Sequence, residues 1–504
     1  IDNDQLLKNT SYVKLDGQID LVGESQFIQT SSSDLDLLSG GYLERDQDGK
    51  PSLYNYNYWS SPVGVINTST NNSDYTISEV LRDGTNPIIP QLINFNSSDY
   101  DGASGTPITL ADYWMFIFRN TAAEYSNWLQ VGSTGTIKVG EGYTQKGTGT
   151  ISSSQNYVFV GKPNNGLIQH NINSGDIYLL GNPYPSALDA NTFINDNISS
   201  ITDSGSSTGA LYFWEHWGGT SHILAEYEGG YATYNLAGGV MAISNQDVSS
   251  NGTGTIRPGR YIPVAQGFFV QGSSNGGVVE FNNNQRKFKK ENITTDDSVF
   301  FRTVYKESIA TSSDIDIEKF YFNFTTPEGP NRELLLAVKE GLEDGLNYGY
   351  DAKLIEDQYT DCSWKMKEDN ETRLVIQGIG NIYENLELPL EIKIGASGTC
   401  KFELASLTST EMEYDIFFLD KELNSSTILE QGIKIEFSLS ADTYKNRFFI
   451  AFKPKQVLTT QEIETIENEF LVFYDSLNKR LKINNSLDFS ANSIVLYNLL
   501  GQEV

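Results

Sequence analysis

The chain has 504 residues, room for three to four domains at about 100–200 residues each. Its 35 basic and 65 acidic residues leave a formal charge of −30, which argues against nucleic acid, because phosphate binding needs a basic surface, and against docking on anionic lipid. No run approaches the roughly 20 apolar residues of a membrane helix. Tyr (28), Phe (26) and Gly (44) are abundant, and aromatic and β-branched runs broken by Gly, Asn, Asp and Ser predict an all-β, multidomain chain.

The opening IDNDQLLKNT lacks the basic and apolar regions of a signal peptide, and Tyr12–Gln29 already reads as strands in mid-architecture. Val13, Leu15, Ile19 and Leu21 alternate about a predicted Asp16-Gly17 turn, so the chain is expected to begin inside a longer protein. Residues 1–52 read as the last rungs of a β-solenoid-like stack, with DG, GE and SGG as punctuation. Within them Glu44–Gly49 loosely echoes a calcium loop but lacks its remaining ligands, and an ordinary Asp-Gly turn is the expectation.

Residues 53–295 contain a weak duplication, with halves at about 53–175 and 176–295. YWSSPVG (Tyr58–Gly64), DYWMFIF (Asp112–Phe118) and VGEGYTQKG (Val139–Gly147) are followed in the same order by LLGNPYPSA (Leu179–Ala187), LYFWEHW (Leu211–Trp217) and VAQGFFVQG (Val264–Gly272). Pro62 and Pro183 lie 121 residues apart, and Val139 and Val264 lie 125 apart. Two copies of a β-sandwich or jelly-roll-like unit are expected, with Gly142 and Gly267 in equivalent turns. A cis bond is considered at Pro183 or Pro185, and Ser186 is the expected N-cap of a short helix over ALDANTFIND.

From 296 to 455, nine strand candidates at roughly 8–18-residue spacing predict an antiparallel, Ig-like sandwich. Cys362 and Cys400 each open a strand of that sandwich; a disulfide and two free thiols both remain open, because neighbouring strands need not bring the Cα atoms within roughly 7 Å. A hinge follows at Lys453–Thr460, and a last unit runs over 461–504.

The most suggestive site is the cluster LYFWEHWGGTSHILAEYEGGYATYN. Trp214, Trp217, Tyr227, Tyr231 and Tyr234 surround two Gly-Gly turns beside Glu215, His216 and Glu226. Flat rings with polar tips suit a sugar or peptide surface; the competing reading is that alternate rings fill a core. Trp214, His216, Trp217, Tyr227 and Tyr231 are the candidate ligand-binding residues, and the two tryptophans are expected on opposite faces of a strand. Three histidines, no Gly-x-Ser-x-Gly elbow, and His216 and His222 six residues apart give no catalytic or metal constellation, so no enzyme activity, cofactor or metal is expected.

A family resemblance rests on the last unit. LVFYDSLNKRLKINN (Leu471–Asn485) followed by NSIVLYNLLGQEV (Asn492–Val504) resembles the C-terminal sorting domain of cargo exported by the type IX secretion system of Bacteroidetes. The pattern's last strand stands here as Val495, Leu496, Tyr497, Asn498, Leu499, Leu500, Gly501 and Gln502. The usual Tyr-Pro-Asn-Pro opening is replaced by Phe473-Tyr474-Asp475-Ser476, and the family's basic terminal stretch is not found before Val504. YNYNYWSSPVG, GNPYPSALDANTFI and GRYIPVAQGFFV are similar to a module of long exported flavobacterial proteins. The resemblance implies a secreted or cell-surface protein, with adhesion or display modules, whose tail is read by the secretion translocon and associated outer-membrane proteins. Surface glycans are the other partner class considered, and the rival reading is the non-catalytic region of a secreted polysaccharide-degrading enzyme or a carbohydrate-binding protein.

Overall fold

The computed structural model describes residues 1–201, 209–273, 275–291, 316–356, 358–366, 371–408, 412–455, 470–475, 479–485, 493, 495, 496 and 502. The protein is all-β, and its chain divides into two compact units, Ile1–Pro454 and Lys455–Val504.

The first unit opens with two stacked solenoid rungs. Leu6–Asn9, Tyr12–Val13 and Gln18–Leu21 pair in parallel with Gln26–Gln29, Asp34–Leu35 and Tyr42–Gly49. Tyr12–Val13 and Gln18–Leu21 therefore do not fold back on each other about Asp16-Gly17: each pairs with the rung above, where Leu21, Phe27, Leu35 and Leu43 become buried. Glu44–Gly49 is neither calcium loop nor turn. It lies inside the strand Tyr42–Gly49, whose other edge pairs antiparallel with Gln155–Pro163. The alternation that decides this is Leu43, Arg45, Gln47 and Gly49, all buried.

The strands carrying the repeated landmarks pair in similar ways. Tyr56–Ser60 pairs with Gly142–Lys146, setting Ser60 opposite Gly142. Ile177–Gly181 pairs with Gly267–Gln271, setting Gly181 opposite Gly267. Pro62 and Pro183 each follow two residues after those strand ends. The two hairpins also exchange bonds reciprocally: Ser60 N–H donates to Ala265 O at 2.9 Å, Gly181 N–H donates to Gly140 O at 3.1 Å, and bridges join Trp59 to Gln266 and Glu141 to Leu180. Ile168–Ile172, which precedes the expected boundary at 175, pairs antiparallel with Gly277–Phe281, as Tyr42–Gly49 pairs with Gln155–Pro163.

Local details depart from expectation. Asp112–Trp114 is a 3-10 turn followed by the short strand Phe116–Ile117, where an aromatic strand over 112–118 was expected. The Asp112 carboxylate accepts from the Ser133 N–H, which holds the turn. Ala187–Asp189 is a strand, the helix is Ala190–Ile201, and its cap is Asp189, whose Oδ1 accepts from the Asn191 and Thr192 N–H groups. Ser186 instead accepts from Arg286 Nε at 3.2 Å. The cis bond among the described residues is Thr106–Pro107, not at Pro183 or Pro185.

The following strands form one eleven-stranded sheet bent over a core of Phe322, Trp364, Phe402, Phe418 and Phe448. Its pairs are antiparallel except Asn331–Val338 with Arg373–Ile379, which the long connection between them allows to run parallel. Ala352–Lys353 and Ser425–Ile428 are strands the sequence pattern did not mark. Cys362 and Cys400 are buried and unbridged; three other strands of the sheet lie between the strands that carry them.

The outer face of this sheet packs on the second half of the duplicated module. Tyr321, Leu335, Ala337 and Val375 share one apolar cluster with Tyr212, Trp214, Val240 and Phe269. Polar ties cross the same junction: Arg257 pairs with Glu333, which also accepts from the Met241 N–H at 2.9 Å, and Leu236 N–H donates to Gly349 O at 2.8 Å.

In the second unit Phe470–Asp475 and Arg480–Asn485 form an antiparallel hairpin. Of the expected sorting run, Val495 and Leu496 are described, exposed and outside any strand. Gln502 is also described and exposed; Tyr497, Asn498, Leu499, Leu500 and Gly501 lie outside the described residues. Among the described residues no helix is long and apolar enough to cross a membrane.

Candidate functional site: an aromatic cavity

The strand Leu211–Gly218 pairs along Glu228–Asn235 and sets Trp214 opposite Tyr231. Strand alternation then sends Trp214 and Trp217 to different faces. Trp214 packs in the cluster at the junction with the eleven-stranded sheet; Trp217, half-buried, packs on the internal core of the second half.

On the Trp214 side lies a cavity of about 470 Å³, within the range of small-ligand sites. Aromatic side chains make up the largest share of its lining, and Tyr58 is central among them. Its ring stacks 6.2 Å from Trp214 and meets Trp128 at 5.9 Å, Phe269 at 6.3 Å and Tyr231 at 6.5 Å, mostly edge-on. The Tyr58 and Tyr231 hydroxyls are 3.1 Å apart, so each satisfies the other inside the cluster. Tyr125, 69 % exposed, contributes from the surface.

The polar lining is acidic. Glu124, Asp247 and Glu356 stand against one lysine, Lys353. Asn245 Nδ2 donates to Glu356 Oε1 at 2.6 Å, and burial, only partly offset by that bond, pushes the Glu356 carboxyl up to about 7.

Beside the cavity sits a buried ammonium. Lys146 Nζ lies 3.6 Å from the Trp114 ring centroid, 4.6 Å from Tyr56 and 4.7 Å from Tyr227, close enough for cation–π attraction to each. It donates to Tyr227 Oη at 2.9 Å and lies 3.1 Å from His222 Nδ1, while His222 Nε2 is 2.8 Å from Asp101. Burial lowers the amine to about 7. Tyr56 and Tyr227 belong both to this cage and to the cavity lining.

Of the five residues picked from sequence, Trp214, Tyr227 and Tyr231 line the cavity, whereas His216 and Trp217 do not. His216 is fully buried, and its Nδ1 accepts from the Tyr56 N–H at 3.0 Å; burial, with Lys50 and Lys146 nearby, holds its pKa well below the usual histidine range. It positions the strand that carries Tyr56 and Tyr58. Tyr234 turns to the other core and donates to Asn191 Oδ1 at 2.7 Å. Glu215 is buried and accepts from the Thr255 and Ile256 N–H groups, while Glu226 is exposed in a 3-10 turn. Sequence reasoning missed Tyr56, Tyr58, Trp128, Lys146 and Glu356. The period-two run Tyr54, Tyr56, Tyr58 was the available signal for the first two; nothing local marks Glu356 among 65 acids. Among the described residues no group of three or more His, Cys, Asp or Glu side chains is arranged to hold a metal.

Fold and site together define an all-β protein with an aromatic cavity where a duplicated module meets a curved sheet. The chain belongs to the family described as Domain of unknown function (DUF8693), whose model matches residues 94–452. That span takes in most of the duplicated module, the eleven-stranded sheet and all of the cavity lining except Tyr56 and Tyr58. No curated protein and no solved structure matches the chain.

Proposed function

We propose that this chain belongs to an exported cell-surface protein whose β-modules serve adhesion or display and hold a ligand non-catalytically in the aromatic cavity. The observation that carries the ligand-holding part is the convergence of Tyr58, Trp214, Tyr227 and Tyr231 on one cavity of about 470 Å³. Rings with paired hydroxyls and a few polar groups at the margin offer stacking surface and orientation. The export part is supported by the resemblance of Val495–Gln502 and the preceding hairpin to a type IX sorting domain. In this reading the second unit is an address for the translocon, and the first unit is what is displayed.

A second reading has its own support. Aromatic stacking surface is equally what the carbohydrate-binding region of a secreted polysaccharide-degrading enzyme offers, with surface glycans as partners.

Three sets of experiments test these readings. Deleting everything after Pro454 should keep the protein inside the cell while a full-length control reaches the surface; unchanged surface delivery would remove the address. Trp214→Ala and Tyr231→Ala should each weaken adhesion at least tenfold, and unchanged adhesion in both would separate the cavity from the function. A glycan array and a hydrolase screen discriminate glycan binding and catalysis from adhesion by other ligands.

A further inference from the structure

We infer that the aromatic cavity selects a small organic cation, a quaternary ammonium or a comparable charged amine, with Glu356 as its counter-charge. The inference rests on the cavity's being a ligand site and names what it takes.

Three observations converge. Aromatic faces carry the negative lobe of the ring quadrupole, so a pocket walled by rings attracts a cation and gains most when the cation is poorly hydrated. The protein already uses two of these rings in that way, since Tyr56 and Tyr227 flank the Lys146 ammonium at 4.6 and 4.7 Å. The polar lining supplies three acids and one lysine, and the net charge of −30 favours approach of cations.

Among the described residues Glu356 forms no ion pair, although the charge of Arg332 acts on it. Its carboxyl accepts from Asn245 Nδ2 and from the Tyr231 N–H. Arg332 of the eleven-stranded sheet, whose charge acts on Glu356, is committed to Asp361 through two bonds of 2.7 and 2.8 Å. Burial, with a smaller push from Asp361 that opposes Arg332, raises the Glu356 carboxyl to about 7, and Lys353 is the cationic side chain found in the lining among the described residues. A bound cation stabilises its ionised form, so binding strengthens as pH rises through 7. Lys146, beside the cavity and also lowered to about 7, loses charge over the same range and adds to the trend. A neutral sugar shares the rings but not this charge dependence.

The test is choline against its uncharged isostere 3,3-dimethylbutan-1-ol, titrated into the 504-residue chain and followed by tryptophan fluorescence and calorimetry. At pH 8 choline should bind at least tenfold more tightly than the isostere, and that advantage should shrink several-fold at pH 6. Glu356→Gln should abolish most of the advantage while leaving the isostere's affinity within about twofold, a readout that a misfolded variant does not give. Equal affinities for the two probes in the parent chain, or an undiminished advantage in Glu356→Gln, overturn the inference. Quenching by a neutral oligosaccharide alone overturns it and leaves the cavity a ligand site. Silence of all three probes overturns both.

Discussion

At the scale of single residues, what stands out is how many titratable groups the fold holds away from their ordinary range. Lys50 and Lys146 are lowered to about 8 and about 7, and Asp351 and Glu356 are raised to about 7, in each case chiefly by burial. The consequence for Glu356 has a definite sign. Unfolded, its carboxyl titrates near 4.3; folded, near 7. Between those values the folded chain keeps a proton that the unfolded chain has lost, so stability from this group is highest below pH 4, falls between pH 4 and 7, and stays reduced above. Glu356→Gln keeps an oxygen for Asn245 and removes the titration. It should therefore be more stable than the parent by about 3–4 kcal/mol at pH 8 and equal to it near pH 4, read as a shift in the urea midpoint. The five sequence-picked binding residues divide for a reason that also belongs to this scale. Composition identifies an aromatic cluster, but strand alternation and the bulge between His216 and Gly218 decide which rings reach the cavity.

At the scale of elements, the two facing hairpins, Tyr56–Ser60 with Gly142–Lys146 and Ile177–Gly181 with Gly267–Gln271, are a packing device. Each presents a glycine-led strand to the other. A Cβ added at Gly142 would lie 2.7 Å from Leu180 O and 2.8 Å from Leu179 Cγ; one added at Gly267 would lie 3.1 Å from Trp59 O. Backbone cannot yield at 2.7 Å as a flexible side chain can, so Gly142→Ala should destabilise the first unit by about 1–3 kcal/mol, and Gly267→Ala by less. Gly17→Ala, where a Cβ meets nothing within 4 Å, is the control and should be near neutral. Chemical denaturation of the three variants checks the order. The landmarks at offsets of 121 and 125 were legible because these glycines and prolines answer to the same local constraint in both halves. The matching of DYWMFIF with LYFWEHW was not, because Asp112 turns the first segment into a 3-10 turn while the second runs as an eight-residue strand.

At the scale of the whole molecule, the rungs, the duplicated module and the eleven-stranded sheet fold as one unit up to Pro454. The chain cut after Pro454 should then keep the melting transition of that unit within a degree or two in calorimetry, and a collapse of the transition would show that the last fifty residues stabilise the rest. The all-β class and most strands of the curved sheet were legible in the sequence, because period-two burial and Gly, Pro and Asn punctuation act over a few residues. Only the tertiary structure decided that Tyr12–Val13 and Gln18–Leu21 pair with the rung above instead of with each other. It also decided that Glu44–Gly49 is a strand, that Cys362 and Cys400 stay unbridged, and that Tyr58, Trp214 and Glu356 meet in one cavity. The physical reason is range. These outcomes depend on which strand edges and apolar faces become partners across tens to hundreds of residues, and one chain read alone carries no local signal of that choice.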